Sequence, residues 1–184
     1  MATGARTDRP IIRGDRPRRG RHVKKDRRRR ERTRSEFEHR VIDVRRVARV
    51  VSGGRRFSFS VIVVAGDRKG RVGVGIGKAG DTAIAIDKAL RDAKRRMLTL
   101  NLTHEHAVPH EVRAKYASAV VRIFPAPGKG GAIAGGAVRN VLELAGVRST
   151  GAKILSRSKN KLNNARAAMR ALAQLSTHQG AKRP

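Results

Sequence analysis

The sequence predicts an α+β protein of two small α/β-layer domains. The first is a three-stranded antiparallel sheet backed by a helix, the second a strand–helix–strand–helix layer. Three observations predict this. Apolar residues alternate along two runs rich in β-branched side chains, Phe57 to Val64 and Arg71 to Lys78, and side chains two apart share one face of a strand. From Asp81 the spacing changes to three and four, with Ala83, Ile86, Leu90, Ala93 and Met97 forming one stripe of a helix. After Pro109 the same switch from strand period to helix period occurs twice more.

Residues 1–36 form a tail. They hold 15 Lys and Arg against 5 Asp and Glu, 15 − 5 = +10, with few apolar residues beyond Ile11, Ile12 and Val23. Such a segment buries too little surface to offset its ordering entropy, so it is expected to be disordered when free; its charge run reads either as an arm that orders on a polyanion or as a solvated solubility tail or localisation signal. The first domain, 37–100, opens with a strand over Glu38 to Val51. Ile42, Val44, Ala48 and Val50 take one parity, Asp43, Arg45 and Arg49 the other, and the break at Arg46 and Val47 predicts a bulge. Ser52-Gly53-Gly54 reverses the chain. Gly66-Asp67-Arg68-Lys69-Gly70 is the next turn, because glycine can supply φ > 0 and Asp67 can bond its neighbouring backbone. In the third strand Val72, Val74 and Ile76 alternate with Gly73, Gly75 and Gly77, so one face is apolar and the other nearly bare. Asp81 is placed to N-cap the helix, and Lys94, Arg95 and Arg96 suit its negative end.

Thr99 to Pro109 changes character and marks a linker, taken at 101–110. His104, Glu105, His106 and His110 could ligate zinc by residue type. Their spacing is not the helical His-Glu-x-x-His, and Pro109 disfavours a helix, so solvated loop histidines are expected. The second domain, 111–176, has a strand over Ala117 to Phe124, a flexible loop from Pro125 to Gly131, and a helix carrying Val138, Val141, Leu142 and Ala145 that ends at Gly146. Val147 to Leu155 is the next strand. Ser158 is placed to N-cap a last helix with Leu162, Ala165, Met169 and Leu172 inward, and 177–184 is a frayed end.

Charge narrows the function classes. The 184 residues carry 44 Lys and Arg against 14 Asp and Glu, a net charge of +30 and a pI near 12.0. Such a surplus calls for a polyanion, and nucleic acid is the default partner. A membrane partner is not expected, because no apolar run approaches the roughly 20 residues of a spanning helix. The N-terminus also lacks the apolar core of a signal peptide. With no cysteine there is neither a disulfide framework nor a thiolate metal site, which fits the cytosol. Aromatics are only 3%, so a row of exposed stacking rings is not expected.

Two glycine-rich stretches invite an enzymatic reading and fail it. Gly75-x-Gly77-x-x-Gly80 follows a strand and opens a helix. That strand alternates with glycine and pairs in a hairpin, unlike a first Rossmann strand, and no acid lies about twenty residues on. Gly77-Lys78 is followed by Ala79 where a phosphate loop needs Ser or Thr for magnesium. Pro125 to Gly136 could cradle a phosphate through its amides, but this loop holds neither the hydroxyls nor the acids of a kinase site. Asp87 with Arg91 and Asp92 with Arg96 lie at i,i+4 and read as surface ion pairs. No catalytic constellation, metal site or cofactor is expected.

Several motifs then converge on one family. They are Val47-x-x-x-Val51-x-Gly53-Gly54-Arg55-x-Phe57-Ser58-Phe59 and Val64-x-Gly66-Asp67-x-x-Gly70-x-Val72-Gly73-x-Gly75-x-Gly77-Lys78-Ala79. To these add Pro125-Ala126, Ile133-Ala134-Gly135-Gly136-x-Val138-Arg139-x-Val141-Leu142-Glu143-x-Ala145-Gly146-Val147, and Ser158-x-Asn160-x-x-Asn163. The chain from about residue 38 to 175 resembles the bacterial-type small-subunit ribosomal protein S-five family. It departs locally, with Lys129-Gly130-Gly131 where the family usually has Gly-Thr-Gly, and Lys161 where it has Pro.

The resemblance implies a first domain similar to the double-stranded-RNA-binding fold and a second with a left-handed βαβ element. It implies a place at the neck of the small ribosomal subunit, near the decoding centre and the mRNA entrance. There the chain would bind small-subunit ribosomal RNA beside ribosomal proteins S-four and S-eight, and mRNA at the entrance. Candidate RNA contacts are Arg45, Arg46, Arg49, Gly53, Gly54, Arg55 and Arg56, with Arg68, Lys69, Arg71, Lys78 and Lys129. Arg113, Arg122, Pro125, Gly131 and Arg139 are candidates for the protein interface with S-four. From the residues alone, a free double-stranded-RNA-binding or RNA-chaperone protein stays open as the alternative.

Overall fold

The computed structural model describes residues 36–100, 102, 106–126, 128 and 130–177; the expectations for the tail and the frayed C-terminus lie outside them. The elements run β1 (Glu38–Val51), β2 (Gly54–Gly66), β3 (Arg71–Ala79), α1 (Thr82–Arg95), β4 (Leu98–Thr99), β5 (Val112–Tyr116), β6 (Ala119–Pro125), β7 (Ala132–Ile133), α2 (Gly136–Ala145), β8 (Thr150–Ile154) and α3 (Lys161–Thr177). They build two four-stranded sheets, ordered β1-β2-β3-β4 and β5-β6-β8-β7. The first is antiparallel throughout. In the second, β7 runs parallel to β8 and reaches it through α2, a βαβ unit.

This is the α+β architecture the sequence predicts, with added edges. The two-residue β4 extends the three-stranded meander. Where one strand was expected over Ala117 to Phe124 there is a hairpin, turned at Ala117 with φ 50°. The alternation of Val112 and Ala114, buried, with Arg113 and Lys115, exposed, is the signal for its first strand.

The bare face of β3 is where α1 docks. A Cβ on Gly75 would lie 2.2 Å from the Ala89 carbonyl oxygen, and one on Gly77 would lie 2.0 Å from that of Ala85. Gly73 likewise faces the Ala93 carbonyl at 2.3 Å. Helix and strand backbones are therefore in direct contact, and only methyl-sized side chains fit between them. Ala85, Ala89 and Ala93 are the buried stripe of α1. Ala83, expected inward, is exposed, and Ile86 and Leu90 are half-buried at the flanks. The Asp92 carboxylate accepts from the Ile76 amide at 3.1 Å and pairs with Arg96 at 3.2 Å. The expected Asp87–Arg91 pair is replaced by a bond from the Arg91 guanidinium to the Asp87 backbone carbonyl.

The other face of this sheet enters a core shared with the second half of the chain. Ile62, Val64, Val72 and Val74 belong to one buried cluster with Val138, Val141, Leu142, Leu144, Ala168 and Leu172. The β2–β3 turn closes the seam: the amides of Arg68 and Gly70 donate to the carbonyls of Leu144 and Ala145, each at 3.0 Å. A helix leaves its last carbonyls without partners, and here the opposite half supplies the donors. Gly146, at φ 80°, ends α2 in the left-handed conformation as expected.

Two local expectations need correction. The irregularity in β1 lies between Val41 and Asp43, not at Arg46 and Val47. Ile42 is the extra residue, and it packs against the shared core, so the bulge serves burial. Beyond it Val44, Ala48 and Val50 are exposed. The N-cap of α3 is Asn160, not Ser158: its side-chain oxygen accepts from the Leu162 amide at 3.1 Å.

The glycine face sets a sharp stability test. Gly75→Ala should cost about 3 kcal/mol or more, because rigid backbone must move. Gly80→Ala, with nothing within 4 Å of its added Cβ, should stay within about 0.5 kcal/mol of the parent. Urea unfolding of the two variants measures both.

Candidate nucleic-acid interface

β3 pairs with β2 only as far as Phe59, opposite Ala79. Beyond that point Val47 to Ser58 form a two-stranded ribbon, closed by Ser52 and Gly53 between the paired residues Val51 and Gly54. Nothing lies within 4 Å of an added Cβ on Gly53 or Gly54, and Gly54 has φ 126°. The ribbon is an arm extending from the sheet.

Its charge is one-sided. Between Asp43 and Asp67 the chain carries Arg45, Arg46, Arg49, Arg55 and Arg56 and no acid. Cross-strand partners share a face, so Arg45, Arg49 and Arg56 take one face of the arm and Arg46 and Arg55 the other. Arg49 stands directly opposite Arg56, a like-charge pairing that destabilises an isolated hairpin. Among the described residues no acid pairs with Arg46, Arg49, Arg55 or Arg56; Arg46 lies over the Phe57 ring, 3.7 Å from its centroid. Lys78 joins the arm's root, aligned through Ser60 with Arg45 across three strands.

The remaining candidates for RNA contact lie elsewhere. Arg68, Lys69 and Arg71 sit at the opposite end of β2, roughly 40 Å away along the strand. Arg68 is paired with Glu38 at 2.7 Å and Arg71 with Asp67 at 2.6 Å. Lys129 lies outside the described residues, as do His104 and Glu105 of the histidine-rich linker.

The candidate protein interface separates into two surfaces. Arg113 and Arg122 are cross-strand partners on β5 and β6, and Lys153 of β8 stands opposite Arg122. The three make a cationic row across the exposed face of the second sheet. Pro125, with Arg122, Phe124, Lys153 and Glu111, borders a recess of about 400 Å³ there, and Glu111 pairs with Arg122. Gly131 and Arg139 instead border a cleft of about 470 Å³ beside Arg68, His106 and Arg148. Arg139 is paired with Glu143 at 2.6 Å.

Comparison with known proteins decides the family. The model described as "Ribosomal protein S5, N-terminal domain" matches residues 37–101, and "Ribosomal protein S5, C-terminal domain" matches 114–183. The chain belongs to the ribosomal protein S5 family. It is 48% identical over 149 residues to the small ribosomal subunit protein uS5 of Prochlorococcus marinus subsp. pastoris, covering 81% of this chain and 72% of the relative. It is also 48% identical over 145 residues to the uS5 proteins of Synechococcus elongatus and Thermosynechococcus vestitus. Those alignments cover 79% of this chain and 80% and 83% of the relatives.

In this member of the S5 family, sequence reasoning missed Lys153 as the third cation of the row and Phe57 as an exposed ring. Strand alternation signalled both: Lys153 follows buried Ala152, and Phe57 has the parity of Val61 but lies beyond the third strand. It also missed the ionic seam that ties β1 to the second half of the chain. Arg40 of β1 reaches Glu143 at 2.6 Å, and Lys161 reaches Asp43 at 3.0 Å, where Arg45 also binds.

These pairings hold both carboxyls below their ordinary values. Lys161 and then Arg45 do so for Asp43, from 3.8, and Arg139 and then Arg40 for Glu143, from 4.5. A carboxyl depressed on folding stabilises above its unfolded pKa, and that stability is lost as pH falls through the folded one. The seam should therefore hold at neutral pH and weaken as pH drops below 4.5 and then 3.8. Denaturant midpoints against pH for parent and Glu143→Gln measure this; the variant should show the shallower acid loss.

Proposed function

We propose that the chain is a structural constituent of the small ribosomal subunit that binds small-subunit ribosomal RNA at the neck, near the decoding centre and mRNA entrance. It contributes there to subunit assembly and translational accuracy, with no catalysis of its own. Family membership makes it a ribosomal protein of the small subunit, working in the cytoplasm among ribosomal RNA and other ribosomal proteins. The observation that carries the finer reading is the arm and its root: five arginines between Asp43 and Asp67 with no acid among them, and a directly opposed Arg49–Arg56 pair. Phosphates relieve that repulsion, and the glycine turn lets the backbone approach an RNA groove.

The cationic row of Arg113, Arg122 and Lys153 is the docking surface for an acidic face of ribosomal protein S-four, and S-eight is a second neighbour. The Arg68–Lys69 turn and the tail of residues 1–36 are the supports for further RNA, including mRNA at the entrance. Contacts of the row that exist only in the open subunit oppose its closure on a correct codon–anticodon pair, so losing them favours closure.

Two substitutions test the reading. Gly54→Asp places a carboxylate among the arginines of the arm and should weaken incorporation into small subunits in high-salt sucrose gradients, or alter the response to spectinomycin. Normal behaviour in both assays would remove the arm from the neck. Arg113→Glu should leave assembly nearly intact and raise near-cognate readthrough severalfold, since a pair of about 1 kcal/mol changes an equilibrium by that factor. Lost assembly with unchanged readthrough would mean that the row holds RNA.

A further inference from the structure

The arm carries more than charge. On the face that holds Arg46 and Arg55, Val50 is 74% exposed, Val44 50% and Phe57 46%. Val50 and Phe57 have no core to enter, because the third strand ends opposite Phe59. Phe57 instead stacks with the Arg46 guanidinium at 3.7 Å from the ring centroid. The pair presents a flat face whichever member is outermost, and RNA bases stack on aromatic rings and on guanidinium planes alike. Arg55, two residues before Phe57 on the same strand face, stands about 7 Å away, within reach of the phosphate of a nucleotide seated there.

We propose that the Arg46–Phe57 stack is a platform for one unpaired RNA base, with Arg55 holding that nucleotide's phosphate. The proposal rests on the reading of the arm as RNA-binding and extends it: the arm selects RNA with a splayed nucleotide as well as neutralising phosphates. Charge selects the occupant. An apolar protein segment would cover the ring but leave Arg46, Arg49, Arg55 and Arg56 without counter-charge, whereas a nucleotide supplies a flat ring and an anion together. Arg46 acts as a positioning residue, holding the ring through the cation–π contact.

The chain contains no tryptophan, so Phe57→Trp in the full-length protein reports from this one place. Its probes are an oligoadenylate and an abasic strand of equal length with the same phosphates. The intact strand should quench the emission of the introduced indole, and the abasic strand should bind without quenching. Phe57→Leu should bind the intact strand about tenfold more weakly, with an unchanged slope of log affinity against log salt, because no phosphate contact is lost. Equal binding of the two strands without quenching, and normal affinity of Phe57→Leu, would overturn the platform while leaving an electrostatic arm in place. If Arg55→Ala and Arg56→Ala changed neither affinity nor salt slope, the RNA-binding reading would fail, and the platform with it.

Discussion

Strand β3 must be buried on both faces, and the two faces are buried by opposite means. On one, Gly73, Gly75 and Gly77 have no side chains, so the backbone of α1 comes to rest on the backbone of the strand. On the other, Val72 and Val74 project into the core shared with α2 and α3. The alternation of glycine and valine is thus a layer specification. Any Cβ on the glycine face would drive α1 outward, expose Val61 and Val63 of the smaller cluster, and loosen the strand that carries the valines.

The arm depends on this fixed root. A two-stranded ribbon is marginal alone, and this one carries opposed arginines as well. It is held because β2 continues from the ribbon into the doubly buried sheet, and because β1 is tied to the rest of the chain at three points. Those ties use Glu38, Asp43 and Glu143. The acids of this region are committed to the seam, at the base of the sheet, and the cations beyond them are left for an external anion. Packing and function are linked by that partition: Asp43 and Glu143 dock the halves through Lys161 and Arg40, while Arg49, Arg55 and Arg56 of the arm have no acidic partner among the described residues.

Much of this was legible in the sequence, and the misses have identifiable causes. Alternation and its change of period gave the sheets, α1, α2 and α3, since burial on one face writes itself into a chain at periods 2 and 3.6. The same rule misled at Ala48 and Val50, where strand alternation continues past the body it would pack against. The inward stripe of α1 was misassigned because a helix lying on glycines buries its smallest side chains, whereas hydrophobicity weights the largest. The candidate RNA set mixed two ends of one long strand. The candidate protein surface joined Arg113 and Arg122 to Gly131 and Arg139, which border different recesses. Neither separation has a signature in linear spacing, because both follow from register and from the docking of the two halves.

The central claim is that the two halves stand or fall as one unit through the shared core and the bonds from the Arg68 and Gly70 amides to the end of α2. Native-state hydrogen exchange on the full chain across a denaturant series tests it most directly. The account predicts that the slowest amides of the first sheet, at Val63 and Val74, and those of the second half, at Val141 and Leu172, exchange through one global opening. They should share one free energy and one denaturant dependence, with the Gly70 amide joining them. If the first sheet exchanged through a separate opening of lower free energy and smaller denaturant dependence while Val141 and Leu172 stayed protected, the account would be contradicted.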